Sequence, residues 1–106
     1  MDTLTITAVT ASGQAYDIDF PLHPLTRSSE AVGDTVTALL AAISDTVATH
    51  RALSDGDILQ ALAMTLAIRT RMAGGSADSM RKLVHELFDS GFAAALASPQ
   101  TQAGHA

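Results

Sequence analysis

The sequence contains no cysteine and no tryptophan. Without a thiolate there is no disulfide, no cysteine-ligated zinc or iron–sulfur centre and no cysteine nucleophile. Aromatic residues make up only 4% of the chain and charged residues only 16%. A core must therefore be built from Leu, Ile, Val, Met and Ala, and the chain is too apolar to stay disordered. Basic residues are the scarcer sign: six Lys and Arg stand against eleven Asp and Glu, for a net charge of −5. A field of that sign repels a phosphate backbone, so nucleic acid is an unfavoured partner. Charge-free stretches such as Ile58 to Ile68 contain Gln60 and Thr65. They fall short of the roughly 20 apolar residues that cross a bilayer, and no membrane partner is expected. Met1-Asp2-Thr3-Leu4-Thr5 has neither the basic segment nor the apolar run of a secretory signal, which makes a cytoplasmic location the expectation.

With 106 residues and a mean hydropathy of +0.23, the chain fits one soluble domain with a modest core. The pattern predicts a single small globular domain over residues 1–98 and a flexible tail over 99–106. Leu4, Ile6 and Ala8 alternate with Thr5 and Thr7, and Tyr16, Ile18 and Phe20 alternate with Asp17 and Asp19. A period of two marks half-buried strands, and the turn-type cluster Ala11-Ser12-Gly13-Gln14 joins them into a β-hairpin. Such a hairpin is marginal by itself. Its apolar face must rest on helices, or its edge must pair with another strand. Pro21 and Pro24 end the second strand.

Three helices follow. The first starts at Ser28 or Ser29 and carries Val32, Val36, Leu39, Leu40, Ile43 and Val47 on one face, a clean core-facing stripe. The second, Asp55 to Ala73, opens with Ser54 as N-cap and two acids in its first turn. Ile58, Leu59, Leu62 and Leu66 line one side of it, while Met64, Ile68 and Met72 lie well round the cylinder. A helix with so little polar surface must be covered on several sides. Arg69 falls near the helix end, where its stem can pack and its head reach water. Gly74-Gly75 supplies a left-handed C-cap and Ser76 the next N-cap. The third helix carries Met80, Leu83, Val84, Leu87, Phe88, Ala95 and Leu96 on one face and Arg81, Lys82, His85 and Asp89 on the other. Gly91 either permits a close approach or weakens the helix middle. The fold class expected is thus α+β, predominantly helical, in the order β-β-α-α-α.

Catalytic signatures are missing. The four histidines invite a metal, and His85 and Asp89 share a helix face, but no second ligand pair accompanies them and closed sites need three or four donors. His23 between two prolines reads as a loop residue and His50 as a helix-end residue. No serine sits in a nucleophile elbow, and Gly74-Gly75-Ser76 lacks the spaced glycines and lysine of a P-loop. No catalytic, cofactor or metal residue is assigned.

Two family resemblances can be drawn from the residues. Ala77-Asp78-Ser79-Met80, followed by Leu83 and Leu87, resembles the Asp-Ser-Leu or Asp-Ser-Met motif of acyl and peptidyl carrier proteins, which would place phosphopantetheine on Ser79. Carriers have a long loop before that serine and two further helical elements after it. Here a helix ends a few residues earlier and one helix follows, so cap chemistry at Ser76 and Ser79 is the competing reading. The short Gly-containing turn between helices two and three, with Arg81 and Lys82 opening the latter, resembles the helix-turn-helix of DNA-binding regulators. That resemblance would make Arg69, Arg71, Arg81 and Lys82 partner contacts.

The reading that follows is a non-catalytic accessory or regulatory protein acting through protein–protein interaction, as a homodimer. Met64, Ile68 and Met72 are its dimer or hairpin contacts. The alternatives are a small DNA-binding regulator and a small-molecule-binding protein or small enzyme with a pocket between helices two and three, near Arg69 and Arg71.

Overall fold

A computed structural model describes residues 2–10, 12–98 and 100–102. The chain runs β1 (Thr3–Val9), β2 (Gln14–Pro21), α1 (Ser29–Thr49), α2 (Asp55–Ala73), α3 (Ala77–Ala97) and β3 (Gln100–Gln102). A hairpin followed by three helices is the architecture read from the sequence. Where one domain over 1–98 is expected, the chain divides into two compact units, Met1–Gly33 with His85–Ala106, and Asp34–Val84. Helices α1 and α3 each contribute to both.

In the first unit β1 and β2 pair antiparallel with Leu4 opposite Phe20, Ile6 opposite Ile18 and Ala8 opposite Tyr16. These six side chains are half-buried while their neighbours Thr3, Thr5, Thr7, Asp17 and Asp19 are exposed, the consequence of a side-chain period of two. The exposed face is tied by cross-strand hydrogen bonds at 2.6 Å, from the Thr5 hydroxyl to Asp19 Oδ1 and from the Thr7 hydroxyl to Asp17 Oδ1. The turn closes with the Gly13 N–H donating to the Thr10 carbonyl at 3.0 Å, and Gly13 takes φ +88°, a conformation few other residues adopt.

The apolar face of the hairpin meets two helices at glycines. A Cβ at Gly33 of α1 would stand 3.4 Å from Leu4 Cδ1, and one at Gly91 of α3 would stand 3.8 Å from the Phe20 ring. Gly91 therefore faces a strand aromatic. The edge of the hairpin is also paired: β3 lies antiparallel to β2, with Gln14, Ala15 and Tyr16 opposite Gln102, Thr101 and Gln100. Residues 100–102 were expected to belong to a flexible tail. They form a strand instead, because β2 offers them an unpaired row of backbone donors and acceptors; Pro99 and residues 103–106 lie outside the described residues. Ala15, flanked on both sides by paired strands, is only 8% exposed.

The second unit is helical. At the start of α2 the Asp57 N–H donates to the Ser54 hydroxyl and the Ser54 N–H donates to Asp57 Oδ2, each at 3.1 Å, a reciprocal capping box. Gly74 and Gly75 take φ of +80° and +84° in the short connection to α3. Ser76 caps α3 by accepting from the Ser79 N–H at 3.1 Å, so Ser79 is the capped residue and not itself a cap. The α1 stripe is not core-facing as its pattern suggests: Val36 and Ile43 are half-buried, but Val32, Leu39, Leu40 and Val47 are exposed. No residue of the three helices is fully buried among those described.

Because a Cβ at Gly91 meets Phe20 at ordinary contact distance, Gly91→Ala adds helix propensity without a clash. We expect it to stabilise the protein by about 0.5–1 kcal/mol, read as a higher midpoint of thermal unfolding. A lower midpoint would mean that the sheet needs a bare backbone there.

Candidate functional site

The most conspicuous surface is apolar and helical. On α2, Met64, Ile68 and Met72 are 57%, 60% and 65% exposed, and Leu59, Leu62 and Leu66 on the other side are exposed as well. Arg69, placed by its position near the Ile58, Leu59, Leu62 and Leu66 side, instead turns its head toward the other side, with Nη1 3.9 Å from Met72 Sδ. Arg69 and Arg71 stand two residues apart, which on a helix places them on nearly opposite sides, and Arg81 and Lys82 are exposed at the start of α3.

Among the described residues each unit holds a cavity, and neither of these is lined by Arg69, Arg71, Arg81 or Lys82. One, of about 410 Å³, is of mixed polar and apolar character and sits beside the start of α1, lined by Asp2, Leu22, His23, Pro24, Thr26, Arg27 and Ser29. The Leu25 N–H donates to His23 Nδ1 at 3.1 Å, so Nε2 carries the proton of the neutral ring. The sequence places His23 in a proline-bounded loop, and only the turn that follows brings Arg27 and Asp2 to the same hollow. The other is a groove of about 270 Å³ in the helical unit, walled by Leu39 and Ile43 of α1 and by Ile58, Ala61 and Leu62 of α2.

Helix α3 has two apolar sides where its pattern suggests one. Met80, Leu83, Val84, Gly91, Ala94 and Ala95 are half-buried. Phe88, Phe92 and Leu96 form a separate stripe, exposed at 62%, 52% and 72%. The two rings stack with centroids 5.6 Å apart and planes 22° apart, an offset arrangement favourable for aromatic pairs. Phe92 escaped the sequence reading. The signal available for it is the four-residue step from Phe88 through Phe92 to Leu96, which winds slowly round the helix and leaves the half-buried face.

Among the described residues no group of three or more His, Asp or Glu side chains is placed to hold a metal. One helix, α1, is long and apolar enough to cross a membrane by length and composition, although Glu30, Asp34 and Asp45 fall within it. In comparisons with known proteins, no family model, no curated protein and no solved structure matches the chain.

Asp57, which also lines the groove, has a carboxyl held below its ordinary value of 3.8, first by the Ser54 backbone N–H and then by the Ser54 hydroxyl. A carboxylate depressed in the folded state adds stability above its unfolded pKa and loses it as pH falls through the folded one. The stability difference between the natural chain and Asp57→Asn should therefore hold constant above about pH 5 and shrink below pH 3.8. Urea midpoints from pH 6 to pH 2 measure this, and a difference unchanged at low pH would remove the capping role of the carboxylate. Ser54→Ala should cost about 1 kcal/mol at neutral pH in the same experiment.

Proposed function

We propose that this chain is a non-catalytic accessory or regulatory protein that works by binding protein surfaces, and that its basic form is a homodimer. The observation that carries this reading is uncovered apolar surface. Within the helices Leu39 and Leu40 of α1, Met64, Ile68 and Met72 of α2, and Phe88, Phe92 and Leu96 of α3 are all exposed.

The character of that surface supports the same reading. Among the described residues, fourteen of sixteen exposed large apolar side chains lie on the three helices, which far exceeds the scattered apolar residues of ordinary monomer surfaces. Met64 and Met72 add flexible thioethers that adapt to a partner. Protein is a better cover than lipid for α1, because Asp34 and Asp45 fall inside its span and carboxylates within a membrane-crossing helix are costly. A two-fold axis is the commonest way for identical apolar faces to cover one another.

Light scattering should give a mass about twice 10.9 kDa at micromolar concentration, and a monomer at every concentration would overturn the reading. Ile68→Asp should weaken the dimer at least about tenfold, seen as a shift of the monomer–dimer midpoint in sedimentation equilibrium.

A further inference from the structure

Resting on the homodimer reading, we infer that the Phe88–Phe92–Leu96 stripe of α3 in one copy fills the groove between α1 and α2 of the other. The groove determines the chemistry of its occupant. Its polar side chains are already engaged: the Thr46 hydroxyl donates to the Ala42 carbonyl at 2.9 Å, the Thr65 hydroxyl donates to the Ala61 carbonyl at 2.8 Å, and Asp57 accepts from the Ser54 N–H. Neither threonine hydroxyl is left to donate, and the walls between them are aliphatic. Away from the Asp57 carboxylate, a polar ligand entering there would lose its water without gaining a donor. An apolar side chain loses nothing.

The stripe is the matching surface. It holds two of the three phenylalanines of the chain, already stacked and half in solvent, and exposed aromatic clusters of this kind are the usual anchors of interfaces. The lengths agree: Phe88 to Leu96 and Asp57 to Thr65 are eight-residue spans, each about 12 Å along a helix. Charge agrees as well. Arg81 and His85, seven and three residues before Phe88, continue the stripe on the same side of α3, while the first turn of α2 is acidic through Asp55 and Asp57. In a chain of net charge −5, bringing basic residues of one copy to acidic residues of the other relieves the repulsion that dimerisation otherwise meets. Each stripe covers on the order of 500 Å² and each groove as much, so two dockings related by the dimer axis bury on the order of 2,000 Å². That is enough for a stable pair.

The absence of cysteine makes the test direct. Ala61 is the midpoint of the groove wall on α2 and Phe92 the midpoint of the stripe, so they meet whichever way the helices run. Ala61→Cys and Phe92→Cys chains, refolded together and oxidised, should give a disulfide-linked mixed dimer as the main product, since the bond forms only when Cα atoms come within about 7 Å. A dimer by light scattering without that link overturns the docking and leaves the homodimer reading intact; a monomer overturns both. An internal disulfide in the chain carrying both substitutions, with no mixed dimer, overturns the docking in favour of a stripe seated in its own groove. Independently, Phe92→Asp should weaken dimerisation at least tenfold with helical circular dichroism unchanged, while Phe92→Leu should not. Equal affinity of Phe92→Asp and the natural chain would also overturn the proposal.

Discussion

The sheet of this protein depends on cover for the apolar face of its hairpin, and the Leu4–Phe20 pair finds it against two helices. Leu4 reaches α1 at Gly33 and Phe20 reaches α3 at Gly91, and these contacts shelter the apolar side of a hairpin too small to persist alone. Both residues belong to the facing Leu4–Phe20 pair of the β1–β2 register. One cross-strand pair thus brings the start of α1 and the second half of α3 to the same face of the sheet. A Cβ at either glycine would meet its strand partner at ordinary contact distance, so the contact is made by the strand side chains and does not require a bare helix backbone. The opposite face needs no cover, because threonine and aspartate side chains pair across it in water.

The helical part is organised by its ends more than by its middle. Ser28, Ser54 and Ser76 each accept a backbone N–H of the helix that follows, and Gly74 and Gly75 allow α2 to end and α3 to begin within a few residues. These devices set where helices start and stop without requiring a core. Threonines along α1 and α2 return their hydroxyls to carbonyls one turn back, which removes polar groups from surfaces that would otherwise need a wet partner. The helices are consequently well formed locally and apolar outwardly, a combination that favours association over dispersal in water.

The proposed association would suit an acidic chain with so few charges. Repulsion between copies is mild at 16% charged residues, and the apolar area available to a partner is large. In the proposed dimer the uncovered sides of α1, α2 and α3 would supply the core that no single copy completes.

What could be read from the sequence is what short-range forces control. The alternation of Leu4-Ile6-Ala8 and Tyr16-Ile18-Phe20 specifies the strands and their inward faces. Ser54 with Asp57, and Gly74-Gly75-Ser76, specify the ends of α2 and the start of α3, since a cap acts over three or four residues. Periodicity in α1 shows which side is apolar, but not whether anything lies against it: Val36 and Ile43 gained partial cover and Leu39 and Leu40 did not. The pairing of 100–102 with β2, the facing of Gly91 to Phe20, the hollow at His23 and the separation of Phe88 and Phe92 from the half-buried side of α3 join residues far apart in the chain. Tertiary structure alone decided them, because cover for an apolar face is a contact between distant segments and leaves no mark in local spacing.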